Sequence, residues 1–416
     1  MRVYKFGGAS VKDAASIKNM KSVLEQTGYN NLVVVVSAMG KTTNALEKVI
    51  HNYFHDKKEV NNAINVVLKF HHSILSDLFP DKKHVVYEEI AFLFKEMKRF
   101  LELNKSPNHS FVYDQVVSFG ELISTKIISI YLNEEGIENT WLDSRECIKT
   151  DNSHRDANID WETTKTRIKE KVQLDKLTIT QGFIGANDNN FTTTLGREGS
   201  DYTAAIFAYC LDAESVTIWK DVPGVLNADP RVFKDTELLQ QISYREAIEM
   251  AFYGASVIHP KTLQPLRQKE IPLQVKSFLN PLAAGTSVAK GVDLFPAISC
   301  FIVKKEQVLI SLSSLDFSFM VEDHIGEVFK LLHQYKMKVN LIQNSAISFS
   351  VCVDNKFDKL DELVSRLKSN FKVRFNENVT LYTIRHFRER DVFDMERRFE
   401  VLLKQQNRDT VQIVVK

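Results

Sequence analysis

A chain of 416 residues is too long for one ordinary hydrophobic core, so two or three domains are expected. Hydrophobic residues make up 44% and charged residues 26%, as in soluble globular proteins, and a formal net charge of +1 argues against nucleic acid or an anionic membrane as the main partner. The four cysteines, Cys147, Cys210, Cys300 and Cys352, are far apart and form no CxxC pair; they predict buried thiols in a reducing cytosol, not disulfides or zinc ligands. The first residues lack the profile of a signal peptide, and no apolar run approaches the ~18 residues of a membrane span, so a cytoplasmic location is expected.

The chain opens on a short apolar strand that carries Lys5 and ends in Gly7-Gly8. Glycines let backbone approach a bulky ligand, and N–H groups beside a cation suit phosphate. "NLVVVVSA" (31–38) reads as a strand buried on both faces. "SAMGKTTN" follows, but a P-loop is excluded, because Val35 stands where that motif needs glycine. Residues 44–104 are strand-poor and helically periodic, with Ile74 and Leu78 at i,i+4 and then Ile90, Leu93 and Phe94, which predicts a helical insertion. Its histidines, His51, His55, His71, His72 and His84, read as a solvated helix face, not a metal site. Glu121, directly after a glycine, reads as the start of a helical run, where the dipole favours an acid.

Further strands are expected at 177–186, 215–224 and 271–278, separated by helical patterns. This alternation predicts an α/β unit, a mostly parallel open sheet with helices on both faces. Ligands in such sheets bind beyond the carboxyl ends of the strands. The densest polar cluster, "TTTLGREGSDYTAA" (192–205), lies between a strand and an apolar helix over 202–211. Ser200 and Asp201 are natural caps for that helix. Arg197, with hydroxyls and glycines around it, offers a planar fork for an anion. In "DVPGVLNADPR" (221–231), half of the residues are turn punctuation, and Arg231 is placed to reach a phosphate.

The segment near 279–296 reads as the run-out of a first domain, 1–295. Beyond it strands are expected at 307–314, 347–354 and 379–384, with helix faces Ile325, Val328, Phe329, Leu332 and Leu360, Leu363, Val364, Leu367. That order fits a ferredoxin-like α+β module with one strand left unplaced. A helix at about 391–404 and a strand at 410–415 then suggest a truncated second module.

"KFGGAS", "SAMGKTTN", "FGELIST", "TQGFIGA", "TTTLGREGSDYTAA", "DVPG" with "DPR" and "FYGASVIHP" occur in the order found in aspartate kinases of the amino-acid-kinase fold, which the chain resembles over essentially its whole length. The last part, 300–416, resembles that family's regulatory ACT region. The resemblance implies ATP-dependent phosphorylation of the side-chain carboxylate of L-aspartate, with Mg²⁺ accompanying the nucleotide. It places Thr43, Glu121, Phe183, Arg197, Ser200 and Asp201 on the substrate side. Lys5, Gly7, Gly8, Ser37, Lys220, Asp221, Leu226 and Arg231 fall on the nucleotide side, and no residue is a metal ligand. It also implies an amino-acid effector at the ACT region and a homo-oligomer through exposed strand edges.

The chemistry is consistent with these residues. Aspartate is ionised at neutral pH, its reference pKa being ~3.9, so no general base is needed. The obstacle is repulsion between carboxylate and γ-phosphate, about 4 kcal/mol at ~4 Å and an effective dielectric of ~20. Lys5 and the Gly7 and Gly8 amides are expected to offset it, Arg197 to hold a substrate carboxylate, and Asp201 or Glu121 to take the ammonium or to orient Lys5.

Three departures from the family pattern stand out. Ser256 occurs where a lysine is common, and Glu198 replaces a glycine and is expected to point outward. The effector stretch of lysine-sensitive relatives, Val-Asp-Leu-Ile-Thr-Thr-Ser-Glu, reads "VNLIQNSA" (339–346), with Asn340 and Ala346 in place of both carboxylates. Lysine control is therefore not expected. Two alternatives stay open: a kinase of the same fold acting on glutamate, and a non-catalytic amino-acid sensor. The 192–205 loop argues against the first, and intact Lys5, Arg197 and Asp201 against the second. A dehydrogenase fusion is not expected, because no segment of sufficient length follows.

Overall fold

The computed structural model describes residues 1–255, 258–316 and 318–416, so Ser256 lies outside the described residues. The chain forms two compact units. One comprises Met1–Val225, Leu238–Ile248 and Ile258–Asp293; the other comprises Leu226–Glu237, Glu249–Val257 and Leu294–Lys416.

The first elements are β1 (Arg2–Phe6), α1 (Ala14–Thr27) and β2 (Leu32–Val36). Four helices follow: α2 (Thr42–His55), α3 (Val60–Leu78), α4 (Val85–Leu103) and α5 (His109–Glu134). Then come β3 (Asn139–Leu142), α6 (Ser144–Cys147), α7 (Trp161–Lys171), β4 (Leu177–Gln181), β5 (Ile184–Ala186), β6 (Thr192–Thr194), α8 (Gly199–Cys210) and β7 (Ser215–Lys220). After the two-residue strands β8 (Val225–Leu226) and β9 (Leu238–Leu239) the chain runs through β10 (Gln241–Ser243), α9 (Tyr244–Tyr253), α10 (Pro260–Gln268), β11 (Leu273–Ser277) and β12 (Thr286–Ala289).

Eight strands form one sheet in the order β10-β12-β11-β7-β1-β2-β4-β3. From β11 to β3 every neighbour is parallel. Strands buried on both faces need apolar residues at every position, and β2 is buried throughout. Alternation along β1 sends Tyr4 and Phe6 into a core shared with α1 to α5, while Lys5 points to the opposite face, where α8 lies. β1 sits between β2 and β7, so the strand order reverses there, and in open parallel sheets such a switch point is the ligand crevice.

The strand-poor stretch 44–104 is helical, as its periodicity predicts. His51 and His55 are exposed, but His71 is buried against Phe94 with its Nδ1 on the Val67 carbonyl, and burial pushes its pKa down to about 4. It is a neutral core side chain rather than part of a solvated face. The strand expected over 177–186 is two strands, broken where Phe183 takes a left-handed φ of 71°.

The second unit carries β13 (Cys300–Ser314), α11 (Glu322–Gln334), β14 (Lys338–Asn344), β15 (Ser348–Asp354), α12 (Leu360–Leu367), β16 (Phe371–Arg385), α13 (Glu389–Arg398), β17 (Val401–Gln406) and β18 (Thr410–Val415). They form an antiparallel sheet ordered β14-β15-β13-β16-β18-β17. Val308, Ile310 and Leu312 face α11 and α12, which cover one side with Val328, Leu332, Leu363 and Leu367. β14 is the strand the sequence left unplaced. The helix expected over 391–404 ends at Arg398 and gives way to β17.

Candidate active site

Lys5 is the penultimate residue of β1, with its ammonium 2.6 Å from Asp201 Oδ1, and the two side chains are only 12% and 5% exposed. Asp201 lies in the first turn of α8, where the helix dipole favours an anion. The following glycines are dictated by contact. A Cβ on Gly7 would stand 3.3 Å from Lys5 Nζ, and one on Gly8 would stand 2.7 Å from the Ala38 carbonyl oxygen. Bare backbone thus lets the loop after β1 lie on the loop after β2. The Gly40 N–H donates to the Gly8 carbonyl at 3.0 Å, and the Ser37 N–H to the Phe6 carbonyl at 3.1 Å.

α5 closes this region from one side. A Cβ on Gly120 would meet Ala38 Cβ at 3.1 Å and Thr42 Cγ2 at 3.2 Å, so glycine here lets α5 press on α2. Glu121 is thereby buried in the middle of α5, not at a helix start as the sequence suggested. Burial pushes its carboxyl up to about 8, against the opposing effect of the Glu121 and Ala38 amides, and Oε2 has no partner. Ser124 Oγ donates to the Ser37 carbonyl at 2.8 Å, fixing that loop from the same helix. Thr43 is half-buried in the first turn of α2.

The start of α8 is set by a second close approach. A Cβ on Gly182 would clash with Ser200, and one on Gly199 would stand 2.6 Å from the Phe183 ring. The Phe183 N–H donates to Thr203 Oγ1 at 2.9 Å. Buried Ser200 and Asp201 lie inside the helix; the capping position belongs to Glu198, with φ 54°. Glu198 does not point outward: its Oε2 accepts the His259 N–H at 2.9 Å. Arg197 beside it is exposed, and no hydrogen bond or ion pair among the described residues holds its guanidinium.

The structure therefore gathers Lys5, Gly7, Gly8, Ser37, Glu121, Phe183, Ser200 and Asp201 around the ends of β1, β2 and β4. Lys220 ends β7 beside β1, and Asp221 follows it, exposed. Leu226 and Arg231 belong to the second unit, where the Arg231 guanidinium is forked onto Asp229 at 2.7 Å. Sequence reasoning gave no part to Asp114, His154 or Lys261, which hold the loops around the 192–201 stretch. The isolated acid in "VYDQVV" was their only signal. Among the described residues no group of three or more His, Cys, Asp or Glu side chains is placed to hold a metal. No helix of the described residues is long and apolar enough to cross a membrane.

The family model described as the amino acid kinase family matches residues 1–277. Lysine-sensitive aspartokinase 3 of Escherichia coli (strain K12) is 33% identical over 357 residues, 85% of this chain and 78% of that protein. Chloroplastic aspartokinase 1 of Arabidopsis thaliana is 31% identical, covering 85% of this chain, which spans 63% of the plant protein. The crystal structure of E. coli aspartokinase III in complex with lysine and aspartate aligns over 100% of this chain and 96% of its own, at 30% identity and a TM-score of 0.84. The complex of that protein with aspartate and ADP gives a TM-score of 0.82 at 29% identity.

Proposed function

The chain belongs to the amino acid kinase family and, within it, to the aspartokinases, and from that premise we propose how its site transfers the γ-phosphoryl group of ATP to the side-chain carboxylate of L-aspartate. The product is 4-phospho-L-aspartate, and the reaction opens aspartate-family amino-acid biosynthesis, including the routes to lysine, threonine and methionine. We assign catalysis to residues 1–295 and regulation to 300–416. The observation that carries the reading is the Lys5–Asp201 pair at the switch point of the sheet, beside bare backbone at Gly7 and Gly8.

A carboxylate oxygen attacks the γ-phosphorus; a new O–P bond forms, the bond to the β–γ bridging oxygen breaks, and ADP leaves with that electron pair. No proton moves from the nucleophile, which is already ionised. Lys5 and the Gly7 and Gly8 amides neutralise the charge on the transferring group, and Asp201 aims the ammonium. Arg197 takes a carboxylate of the substrate in its free fork, and the buried Glu121 carboxyl receives the ammonium. Thr43, Phe183 and Ser200 complete the aspartate pocket, while Ser37, Lys220 and Asp221 serve ATP. Mg²⁺ commonly binds through substrate phosphates and water, and it would arrive here with the nucleotide. Bound there, it supplies further charge neutralisation to the phosphates.

One feature supports a regulatory role for the second unit different from lysine sensing. Asn340, where lysine-sensitive relatives carry Asp, already accepts the chain's own Lys304 ammonium at 2.7 Å, and burial pulls Lys304 down to about 8. The edge strand β14 carries Ile342, which is 41% exposed, and supports a homo-oligomer formed through that edge. All four cysteines are free and buried, which supports a reducing compartment such as the cytosol.

The test is ADP release with aspartate and with glutamate as acceptor. Release with aspartate that is lost in Lys5→Met supports the scheme. Release with glutamate but not aspartate overturns the substrate assignment.

A further inference from the structure

Asp114 is a carboxylate on α5 that is completely buried and takes no part in the scheme above. Its partners are three donors on two separate segments. Thr194 Oγ1 of β6 donates at 2.7 Å, His154 Nδ1 at 2.8 Å, and the Arg155 N–H reaches both oxygens at 3.2 Å. The carboxylate accepts from all three at once, and of the three only the Thr194 hydroxyl could turn to accept instead. An amide has one accepting oxygen for the His154 and Arg155 donors, must turn the Thr194 hydroxyl into an acceptor and loses the charge-assisted bonds, and an apolar side chain would leave all three unpaired.

The segments held in this way lead to the substrate loop. The Ala157 N–H donates to the Thr194 carbonyl at 2.9 Å. A Cβ on Gly196 would collide with the Asp156 carboxylate, so the 151–158 loop lies directly on the residue before Arg197. Lys261 closes the far side, with Nζ 2.7 Å from Asp156 Oδ1 and 3.2 Å from the Leu195 carbonyl. Arg155 holds a left-handed φ of 68° and its guanidinium lies 4.1 Å from the centre of the Tyr113 ring. Backbone at 194–196 is thus gripped on both sides, whereas no hydrogen bond or ion pair among the described residues holds the exposed Arg197 guanidinium next to it.

We propose that Asp114 is a positioning residue for aspartate: by clamping Thr194 to the 154–155 turn it fixes the backbone from which Arg197 reaches the substrate carboxylate. The proposal rests on the assignment of Arg197 to aspartate. A buried carboxylate is costly unless fully hydrogen-bonded, and misplacing a binding group by ~1 Å is worth up to ~10²-fold in rate, which gives such a clamp its use. Lys5, Gly7 and Gly8 lie on the β1 loop, outside the clamp, so ATP binding is spared.

The test compares KM for the two substrates in Asp114→Asn, Thr194→Val and Thr194→Ser. Loss of one hydrogen bond to a charged group corresponds to about a ten-fold effect. Asp114→Asn and Thr194→Val are expected to raise KM for aspartate by about that factor, with KM for ATP unchanged and Thr194→Ser restoring the native value. Thr194→Val removes one hydroxyl at constant shape and decides the matter if Asp114→Asn does not fold. Unchanged KM for aspartate, or equal shifts for both substrates, overturns the proposal. Arg197→Ala is run alongside: if it leaves KM for aspartate untouched, the Arg197 assignment has failed, and if it raises KM while the Thr194 variants do not, only the clamp has failed.

Discussion

Lys5→Met separates two consequences of one side chain. The Lys5–Asp201 pair is 2.6 Å long and almost fully buried, so removing the cation strands the Asp201 carboxylate in the protein. Breaking a buried pair from one side costs about 3–5 kcal/mol of stability. Removing a preorganised donor to the transferring group costs ~10²–10³ in kcat, about 2.7–4 kcal/mol of barrier. The two are distinguished by the double variant Lys5→Met/Asp201→Asn, in which no charge is left buried. Its stability in urea is expected to return most of the way to native, while its turnover stays as low as that of Lys5→Met. The readings are coupled ADP release at saturating substrates and a denaturation midpoint. A kcat for Lys5→Met within about three-fold of native, less than ~1 kcal/mol of barrier, would refute the role given to Lys5.

Gly8→Ala pushes a Cβ to 2.7 Å and 2.9 Å from the Ala38 and Gly40 carbonyl oxygens, both backbone, and should cost about 1–3 kcal/mol together with activity; Gly326→Ala, exposed in α11 with nothing within 4 Å, should gain about 0.5–1 kcal/mol. Denaturant titration of both variants reads the contrast. Glu121→Gln should change the pH dependence of stability. The native carboxyl holds its proton up to about 8, whereas the unfolded chain loses it near 4.5, so native stability falls as pH rises through that window. The amide removes this slope, and melting curves across the window should show the variant gaining on the native protein as pH rises. Lysine, titrated calorimetrically and added to the activity assay, should neither bind nor inhibit at concentrations that saturate a lysine-sensitive relative, because Asn340 is engaged by Lys304.

What the sequence revealed is what local chemistry encodes. The all-apolar β2 and the strand–helix alternation are legible because burial on both faces leaves no polar position. Lys5, Gly7 and Gly8 stand out because a cation beside two missing side chains is a local pattern, and all three lie at the end of β1. What it hid depends on distant neighbours. Gly120 looked like a break before a helix, but it is a contact point deep within α5, required by the approach of α2. Glu198 was expected to face solvent because its partner, the His259 amide, lies 61 residues away. β14 escaped because a register shift between Val339 and Leu341 breaks its alternation, and α13 seemed longer because only Phe399 and Glu400, with no glycine or proline, separate it from β17. The Asp114 clamp joins residues 40 and 80 positions apart, which no spacing rule marks.

Aspartate brings one ammonium and two carboxylates into this pocket, and the charges waiting for it are unequal. Lys5 is already matched by Asp201, and Arg197 is exposed without a partner among the described residues. Glu121 is different, because burial pushes its carboxyl up to about 8. An ammonium arriving beside it favours the ionised form and lowers that value, so the proton must leave as the substrate enters. Binding of aspartate at neutral pH should therefore release up to about one proton per site. Calorimetry in two buffers of different ionisation enthalpy measures this directly. Glu121→Gln should abolish the release and weaken binding. Native binding that takes up or releases no proton would show that the ammonium does not meet Glu121, and the assignment of the substrate's amino end would have to move to another group.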